Sequence, residues 1–441
     1  MDIKLPKEVE FIINTLNNNG FEAYIVGGCV RDSLLGRVPQ DWDITTNALP
    51  EKLIDIFDRT VPTGLQHGTV TVVLNNDNYE VTTYRIDGEY LDNRRPENVI
   101  FTTSLEEDLS RRDFTINAMA YNKHSGLIDP FKGKEALKQK LVTCVGNPNL
   151  RFNEDALRML RAVRFAAQLN FHIAEATFGS IINNHSLIKN VSLERIRDEL
   201  CKLLLSSKPS EGIKNLHKTN LLSYILPELI CCIGFEQCNP HHDKTVFNHI
   251  MLVLDNTPSN LPVRLAALFH DIAKPECFTK DETGAGHFYM HHIKSAYMAE
   301  DILKRLRFDN NTIKKVFVLV KEHMSWSDLH KNGAIKKFIN RVGLENLDDL
   351  FALQKADILG HKPPCDITPI EALQSSINKI LQEKHPLSVK DLAITGTDLI
   401  MLGFSPGKQL GSTLNYLLDM VLINPELNTK DQLLEIVEKT L

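Results

Sequence analysis

Apolar positions change rhythm several times along the chain. "AYIVGG" (23–28) is a short unbroken apolar run closed by glycines, which predicts a buried strand, and "VRDSLLG" continues as a helix ended by Gly36. "GTVTVVL" and "YEVTTYR" alternate apolar and polar residues on either side of "NNDN", which predicts a hairpin. Residues 87–110 are charged and without period, and predict a mobile loop. From Glu154 the spacing turns helical. "EDALRMLRAVRFAAQL" puts Leu157, Leu160, Val163 and Ala167 on one face, and "SLERIRDELCKLLL" opens on a serine cap with an acid in its first turn. A break at "FEQCNPHHDK" precedes a histidine-rich helical block (241–361), and "HKPPCDITP" separates that block from a helical tail (366–441). The class is α+β: a mixed sheet with helices first, then helices alone.

With 441 residues, 43% of them hydrophobic, the chain can build roughly three separate cores. "MDIKLPKEVEF" is charged where a signal peptide needs an apolar run, and "LLSYILPELICCIGF" is interrupted by Pro227 and Glu228, so no membrane partner is expected. Eight scattered cysteines, with Cys231, Cys232 and Cys238 lacking C-x-x-C spacing, fit reduced thiols and a cytoplasmic location. The net charge of −6 argues against a general polyanion binder, yet residues 141–220 hold eleven Lys/Arg against seven Asp/Glu. That local balance leaves room for a nucleic-acid surface in one region. The oligomeric state stays open.

The chemistry begins at "PQDWDITT", where Asp41 and Asp43 stand at alternate positions. In a strand, alternate side chains share a face, and two carboxylates held that close repel unless a cation lies between them. Glu80, on the second hairpin strand, would pair beside them and complete three oxygen ligands for Mg²⁺. Upstream, Gly27 and Gly28 separate the first strand from its helix, where backbone N–H groups can approach a phosphate, and Arg31 follows in the first helical turn. Together these parts predict a nucleotidyl-transfer site. Asp155 and Arg158, three apart on the expected helix, share a face. A carboxylate only accepts and a guanidinium only donates, so the pair matches the amine-beside-acceptor edge common to cytosine and adenine and rejects the reversed edge of uracil and guanine.

"YIVGGCVRDSLLGRVPQDWDITT", "RRDFTINAMAYN", "DPFKGKEAL", "RFNEDALRMLRAVRFAAQLNF" and "SLERIRDEL" occur in one order over residues 21–205. In these five motifs the chain resembles the class II tRNA nucleotidyltransferases, the CCA-adding enzymes with the related bacterial poly(A) polymerases. The resemblance implies a polymerase-β-like head (1–140), a helical neck and body (141–235), an HD region (236–361) and a helical tail (362–441). It implies template-independent addition of C, C and A to tRNA 3′ ends from CTP and ATP, with Mg²⁺ held by Asp41, Asp43 and Glu80. It also implies nucleotide contacts from Arg112, Asp113, Asn117 and Arg161, with Glu154 orienting Asp155 and Arg158. Alternatives are an enzyme adding only the terminal A, a poly(A) polymerase, or an HD phosphohydrolase whose head merely binds RNA. The loop "DGEYLDNRRPENVIF", with Arg94 and Arg95, is full length, so retention of A addition is expected.

In the histidine-rich block, His249, His270–Asp271 and Asp357 follow the H…HD…D order of the HD phosphohydrolases, with His292 and His323 as further ligands and Lys274 within reach of a phosphate. Such a set suits Mg²⁺ or a transition metal. His241, His242, His287 and His291 are assigned to the surface or to positions behind the ligands. The resemblance implies a metal-dependent phosphatase or 2′,3′-cyclic phosphodiesterase there.

Overall fold

The computed structural model describes residues 3–88, 99–238, 243–326, 329, 331–383 and 386–440. The chain divides into two compact units, Met1–Pro227 and Glu228–Leu441. Arg94, Arg95, His241 and His242 lie outside the described residues.

The first unit is built on a mixed sheet. Its strands are β1 (Ala23–Val26), β2 (Ile44–Thr46), β3 (Thr60–Gly64), β4 (Thr69–Leu74) and β5 (Asp77–Thr83). A small separate ribbon follows, β6 (Arg85–Asp87) with β7 (Val99–Phe101), and then β8 (Ala120–Asn122) and β9 (Gly126–Ile128) return to the sheet. Its order is β3-β4-β5-β2-β1-β8-β9. The expected hairpin is present: Asn75 and Asn76 both take positive φ (52° and 69°), the two-residue turn that matches strand twist. β1 is wholly buried, as its unbroken apolar run requires.

Three local expectations change. Residues 99–110 are not loop. Ile100 and its neighbours pair with β6, and Ser104 caps the helix Leu105–Ser110 by accepting from the Glu107 N–H, with Leu109 fully buried. The helix expected from Glu154 is two helices, Pro148–Glu154 and Leu157–Leu169, with extended backbone at Asp155. Ser192 stands at the N-cap of Leu193–Leu204, but its hydroxyl makes no capping bond.

The second unit is helical among the described residues, apart from one short hairpin, Phe278–Lys280 with Gly286–Phe288. Helices Val246–Asn256, Leu261–Phe269, Asn310–Glu322 and Leu347–Gly360 pack around a core in which Ile250, Leu254, Leu268, Leu319 and Leu353 are buried. No described helix is long and apolar enough to cross a membrane.

Candidate nucleotide and metal sites

The acids at Asp41 and Asp43 precede β2 rather than lying in it, because the strand begins at Ile44. The pleat still reaches them: the Val26 N–H donates to the Asp43 carbonyl at 3.0 Å, and the parallel register Ile44↔Val81 sets Asp43 beside Glu80. All three acids line one hollow of about 950 Å³. Among the described residues no lysine or arginine is within ion-pair distance of any of them. The electrostatic consequence is visible. Burial raises Asp43, against the pull of Arg112 and with a further push from Asp41; burial and then Asp43 and Asp41 raise Glu80. Three oxygen donors that repel one another, none of them ion-paired among the described residues, fit a hard divalent ion.

Asp43 also borders a second hollow of about 450 Å³. Gly27, Gly28, Arg31, Arg112, Asp113, Asn117, Asp155, Arg158 and Arg161 all reach it, so the structure gathers most of the residues expected from sequence. Their arrangement differs from the expectation in several respects. The Gly27 N–H is committed to the Met119 carbonyl at 3.2 Å, and the glycine instead leaves space: a Cβ there would lie 3.1 Å from Arg112 Nη1. Arg112 pairs with Asp108 through Nη2 at 3.3 Å, and its buried Nε has no hydrogen-bond partner. Arg31 donates to Asn117 Oδ1 at 2.7 Å and pairs with Asp32 at 2.9 Å. Asn117 Nδ2 and the Phe114 N–H donate to Asp113 Oδ1, while Arg161 grips Asp113 Oδ2 at 2.8 and 2.7 Å. Burial is outweighed by these partners, and Asp113 is held down to about 2. Asp113 is therefore an organiser whose oxygens are already occupied.

The selectivity pair is also rearranged. Asp155 does not share a helical face with Arg158; it sits in the extended break, where its carboxylate accepts from the Leu157 N–H at 3.1 Å and so starts the second helix. A short acceptor side chain competes well for free N–H groups at a helix start, which is why the helix breaks there. Asp155 pairs with Arg195, while Arg158 pairs with Glu154 at 2.6 Å and donates to the Arg151 and Arg111 carbonyls. The expected orienting contact from Glu154 is thus made to the arginine. Arg195, Arg111, Arg164 and Phe165 also line the hollow and were not singled out by sequence. Phe165 lies beneath three guanidinium groups, Arg164 at 3.8 Å, Arg31 at 5.0 Å and Arg161 at 5.4 Å from the ring centroid. Arg195 falls within the quoted "SLERIRDEL", and only its identity as the first basic residue after the cap could have flagged it.

In the second unit the histidines converge. His249 Nε2 is 3.0 Å from Asp357 and 3.2 Å from His270 Nε2. Asp271 Oδ2 is 3.3 Å from both histidines and 2.7 Å from Lys274 Nζ, and its Oδ1 is 3.2 Å from His291 Nε2. His323 packs edge-on to His270 and His291, and His361 lies 3.4 Å from Asp357. His292 does not join this cluster; the buried neighbour His291, assigned from sequence to the surface or to a position behind the ligands, does. Adjacent residues at a helix start point about 100° apart, so only one of them can face inward. His361 was missed because it follows the last helix of the block. His287 is an outlying partner of Asp281.

Both Asp271 oxygens are buried, and Lys274 and His291 supply the positive charge and donors next to them that a bound cation would compete with. Burial would lower His270, but Asp271 and Asp357 hold it up to about 10, while burial and then His270 push His323 down to about 3.

Three family models match the chain: "Poly A polymerase head domain" over 23–143, "Probable RNA and SrmB- binding site of polymerase A" over 170–232, and "tRNA nucleotidyltransferase domain 2" over 280–437. The CCA-adding enzyme of Lactobacillus helveticus is 34% identical over 440 residues, covering 97% of this chain and 95% of that one. The CCA-adding enzyme of Geobacillus thermodenitrificans is 51% identical over 214 residues, 48% of this chain and 53% of its own. Among solved structures, the Bacillus stearothermophilus CCA-adding enzyme in complex with CTP superposes with a TM-score of 0.74 at 28% identity, over 98% of both chains.

Proposed function

The chain belongs to the CCA-adding enzymes, the tRNA nucleotidyltransferases, and on that premise we propose how its own residues add C, C and A to tRNA 3′ ends from CTP and ATP. The observation that carries the reading is that Asp43 borders both hollows, so a triphosphate in the arginine-lined one presents its phosphates to the three acids. Asp41, Asp43 and Glu80 would hold Mg²⁺, which activates the RNA 3′-hydroxyl and neutralises the leaving pyrophosphate when bound. Arg112 and Arg31, on the same wall of that hollow, take phosphate oxygens. Asp113 and Asn117 hold Arg161 and Arg31 in place. Asp155 accepts from the base amine and Arg158 donates to the ring nitrogen, while Glu154 fixes Arg158 and Arg195 fixes Asp155.

We read residues 1–140 as the catalytic head, 141–235 as neck and body, 236–361 as an HD region and 362–441 as tail. The cytoplasm is the compartment where such a substrate is made, and the eight free cysteines support it. Supplying tRNA that lacks its terminal bases, with CTP and ATP added singly and together, tests the reading. Ordered incorporation of two C and one A is expected; labelling by UTP at the same rate would overturn it.

A second reading is favoured for the other unit by the convergence of seven metal-ligating side chains, the buried Asp271 among them. We infer a metal-dependent hydrolase of phosphate monoesters or 2′,3′-cyclic phosphodiesters, with His249, His270, Asp271, His291, His323, Asp357 and His361 as the holding set. A bound Mg²⁺ or transition-metal ion would lower the pKa of water and polarise the phosphoryl group. Phosphate release from glycerol phosphate and opening of 2′,3′-cyclic AMP, with Mg²⁺, Mn²⁺, Ni²⁺ or Co²⁺, are the measurements. Inactivity with every metal would reduce the cluster to a structural remnant.

A further inference from the structure

Asp108 stands one turn ahead of Arg111 and Arg112, in the helix Leu105–Ser110, and its side chain has no solvent exposure. It lines neither of the two hollows beside Asp43. Its Oδ1 accepts from Arg111 Nε at 3.0 Å and Nη2 at 2.7 Å, and from the Arg85 N–H at 3.4 Å. Its Oδ2 accepts from Arg112 Nη2 and from Thr45 Oγ1, both at 3.3 Å. Burial alone would favour the neutral acid, but Arg112 and Arg111 outweigh it and hold the carboxyl below its usual range. One carboxylate thus ties together three parts of the candidate site. Thr45 lies two residues after Asp43, Arg111 and Arg112 both line the arginine-rich hollow, and the Arg111 carbonyl accepts from Arg158 Nη2 at 3.0 Å.

Arg112 has a second acid close by. Its Nη1 and Asp43 Oδ2 both lie within 4.0 Å of the point where a Cβ on Gly27 would stand. After burial, Arg112 is the largest influence on the Asp43 carboxyl. A guanidinium forks readily onto a carboxylate, and one that reached Asp43 would occupy the oxygens a divalent ion needs. In this structure the side chain ends on Asp108 instead. We propose that Asp108 is a positioning residue for nucleotide addition: it draws Arg112 away from Asp43, so that the metal-holding acids stay open and the guanidinium faces the phosphates. The proposal rests on the assignment of Asp41, Asp43 and Glu80 as Mg²⁺ ligands. An acid that served only the fold would be missed in the melting temperature and nowhere else.

Asp108→Asn keeps the shape of the side chain and removes its charge. The Mg²⁺ concentration for half-maximal CMP incorporation into tRNA should rise about ten-fold or more, the scale of losing a partner behind a metal ligand. The upward shift that Mg²⁺ gives to the Tm of the nucleotide-free protein should shrink in parallel. Asp108→Glu, which keeps the charge but displaces it by one methylene, should show the same changes at reduced size, and it stands in for the asparagine variant if that one does not fold. The decisive comparison is made in an Arg112→Gln background, where no guanidinium remains at that position to cross to Asp43. There the Asp108 substitution should leave both Mg²⁺ readouts where Arg112→Gln alone puts them. The same rise in both backgrounds, or a lower Tm with an unchanged Mg²⁺ requirement, overturns the proposal and leaves the metal assignment standing. A wild type whose Tm and incorporation do not respond to Mg²⁺ overturns the metal assignment, and the proposal with it.

Discussion

Asp155 and Arg195 meet in a two-pronged ion pair, Nη1 to Oδ1 at 3.2 Å and Nη2 to Oδ2 at 2.8 Å. The Leu157 N–H holds the same Oδ1 at 3.1 Å, so the carboxylate plane is set from two directions before any base arrives. Fixing an acceptor costs freedom in advance and makes the site less able to adapt to a wrong edge. Arg195→Ala should release the carboxylate and raise UTP use relative to CTP by about ten-fold, within the 1–3 kcal/mol of one base contact. Arg195→Lys should recover part of the discrimination. The check is the ratio of kcat/KM for the two nucleotides; a lowered kcat with an unchanged ratio would make Arg195 a scaffold only.

The acids before β2 should reveal themselves in stability as well as activity. Burial and then Asp41 raise Asp43 against the pull of Arg112, and burial, Asp43 and Asp41 raise Glu80, so the folded metal-free protein binds protons more tightly than the unfolded chain. Their contribution is full below the unfolded carboxylate pKa and is lost as pH rises through the folded values. Asp43→Asn should therefore raise the Tm of the metal-free protein at pH 7 and have less effect near pH 4. Nucleotide addition should fall at least about 100-fold, the upper scale for losing even an outer partner of a metal. Mg²⁺ should raise the Tm of the wild type more than that of the variant. Equal Mg²⁺ stabilisation of both proteins would remove Asp43 from the ligand set.

Gly27 has φ 80° and ψ −127°, a conformation that side chains rarely adopt, and faces Arg112 at close range. Gly27→Ala should cost about 1–3 kcal/mol in backbone strain and push Arg112 from its place. The expected kinetic signature is a raised KM for both CTP and ATP, because a phosphate contact serves either base. A variant with normal KM values and only a lower Tm would confine the glycine to the fold.

Patterning in the sequence carried the first strand, the hairpin and the helical second half, because each is a local matter of period and turn chemistry. The three acids were legible because alternate spacing survives even though β2 starts one residue later than the acids. What escaped were choices made between segments. Asp155 looked helical from spacing, yet its own side chain competes for the Leu157 N–H and stops the helix, and its partner Arg195 is 40 residues away. Residues 99–110 looked like loop because a three-residue strand has too little length for a period, and Ser104 was not read as a cap. His291 and His292 cannot be told apart without knowing which face of their helix is covered. His361 lies beyond any motif and is recruited only because Leu347–Gly360 delivers Asp357 and its own C-terminal end to the same place.

The last prediction concerns Lys274 and the charge it balances. Its ammonium lies 2.7 Å from Asp271 Oδ2 and 2.8 Å from Gln237 Oε1, with both charged side chains almost fully buried. Removing one partner of a buried pair strands the other, at a cost of about 3–5 kcal/mol. Lys274→Met keeps the volume and the contact with Phe288, whose ring centroid lies 5.2 Å from the ammonium, but deletes the charge. The metal-free variant should melt well below the wild type. A divalent ion seated at Asp271 supplies positive charge to the same carboxylate, and a ligand that binds only the folded state stabilises it by mass action. Mn²⁺ should therefore raise the Tm of Lys274→Met by more than it raises that of the wild type. The comparison needs only thermal melts with and without metal, so it does not depend on any hydrolytic activity. If Mn²⁺ shifts neither protein, Asp271 holds no exchangeable cation, and Lys274 is its positive partner beyond the histidines among the described residues.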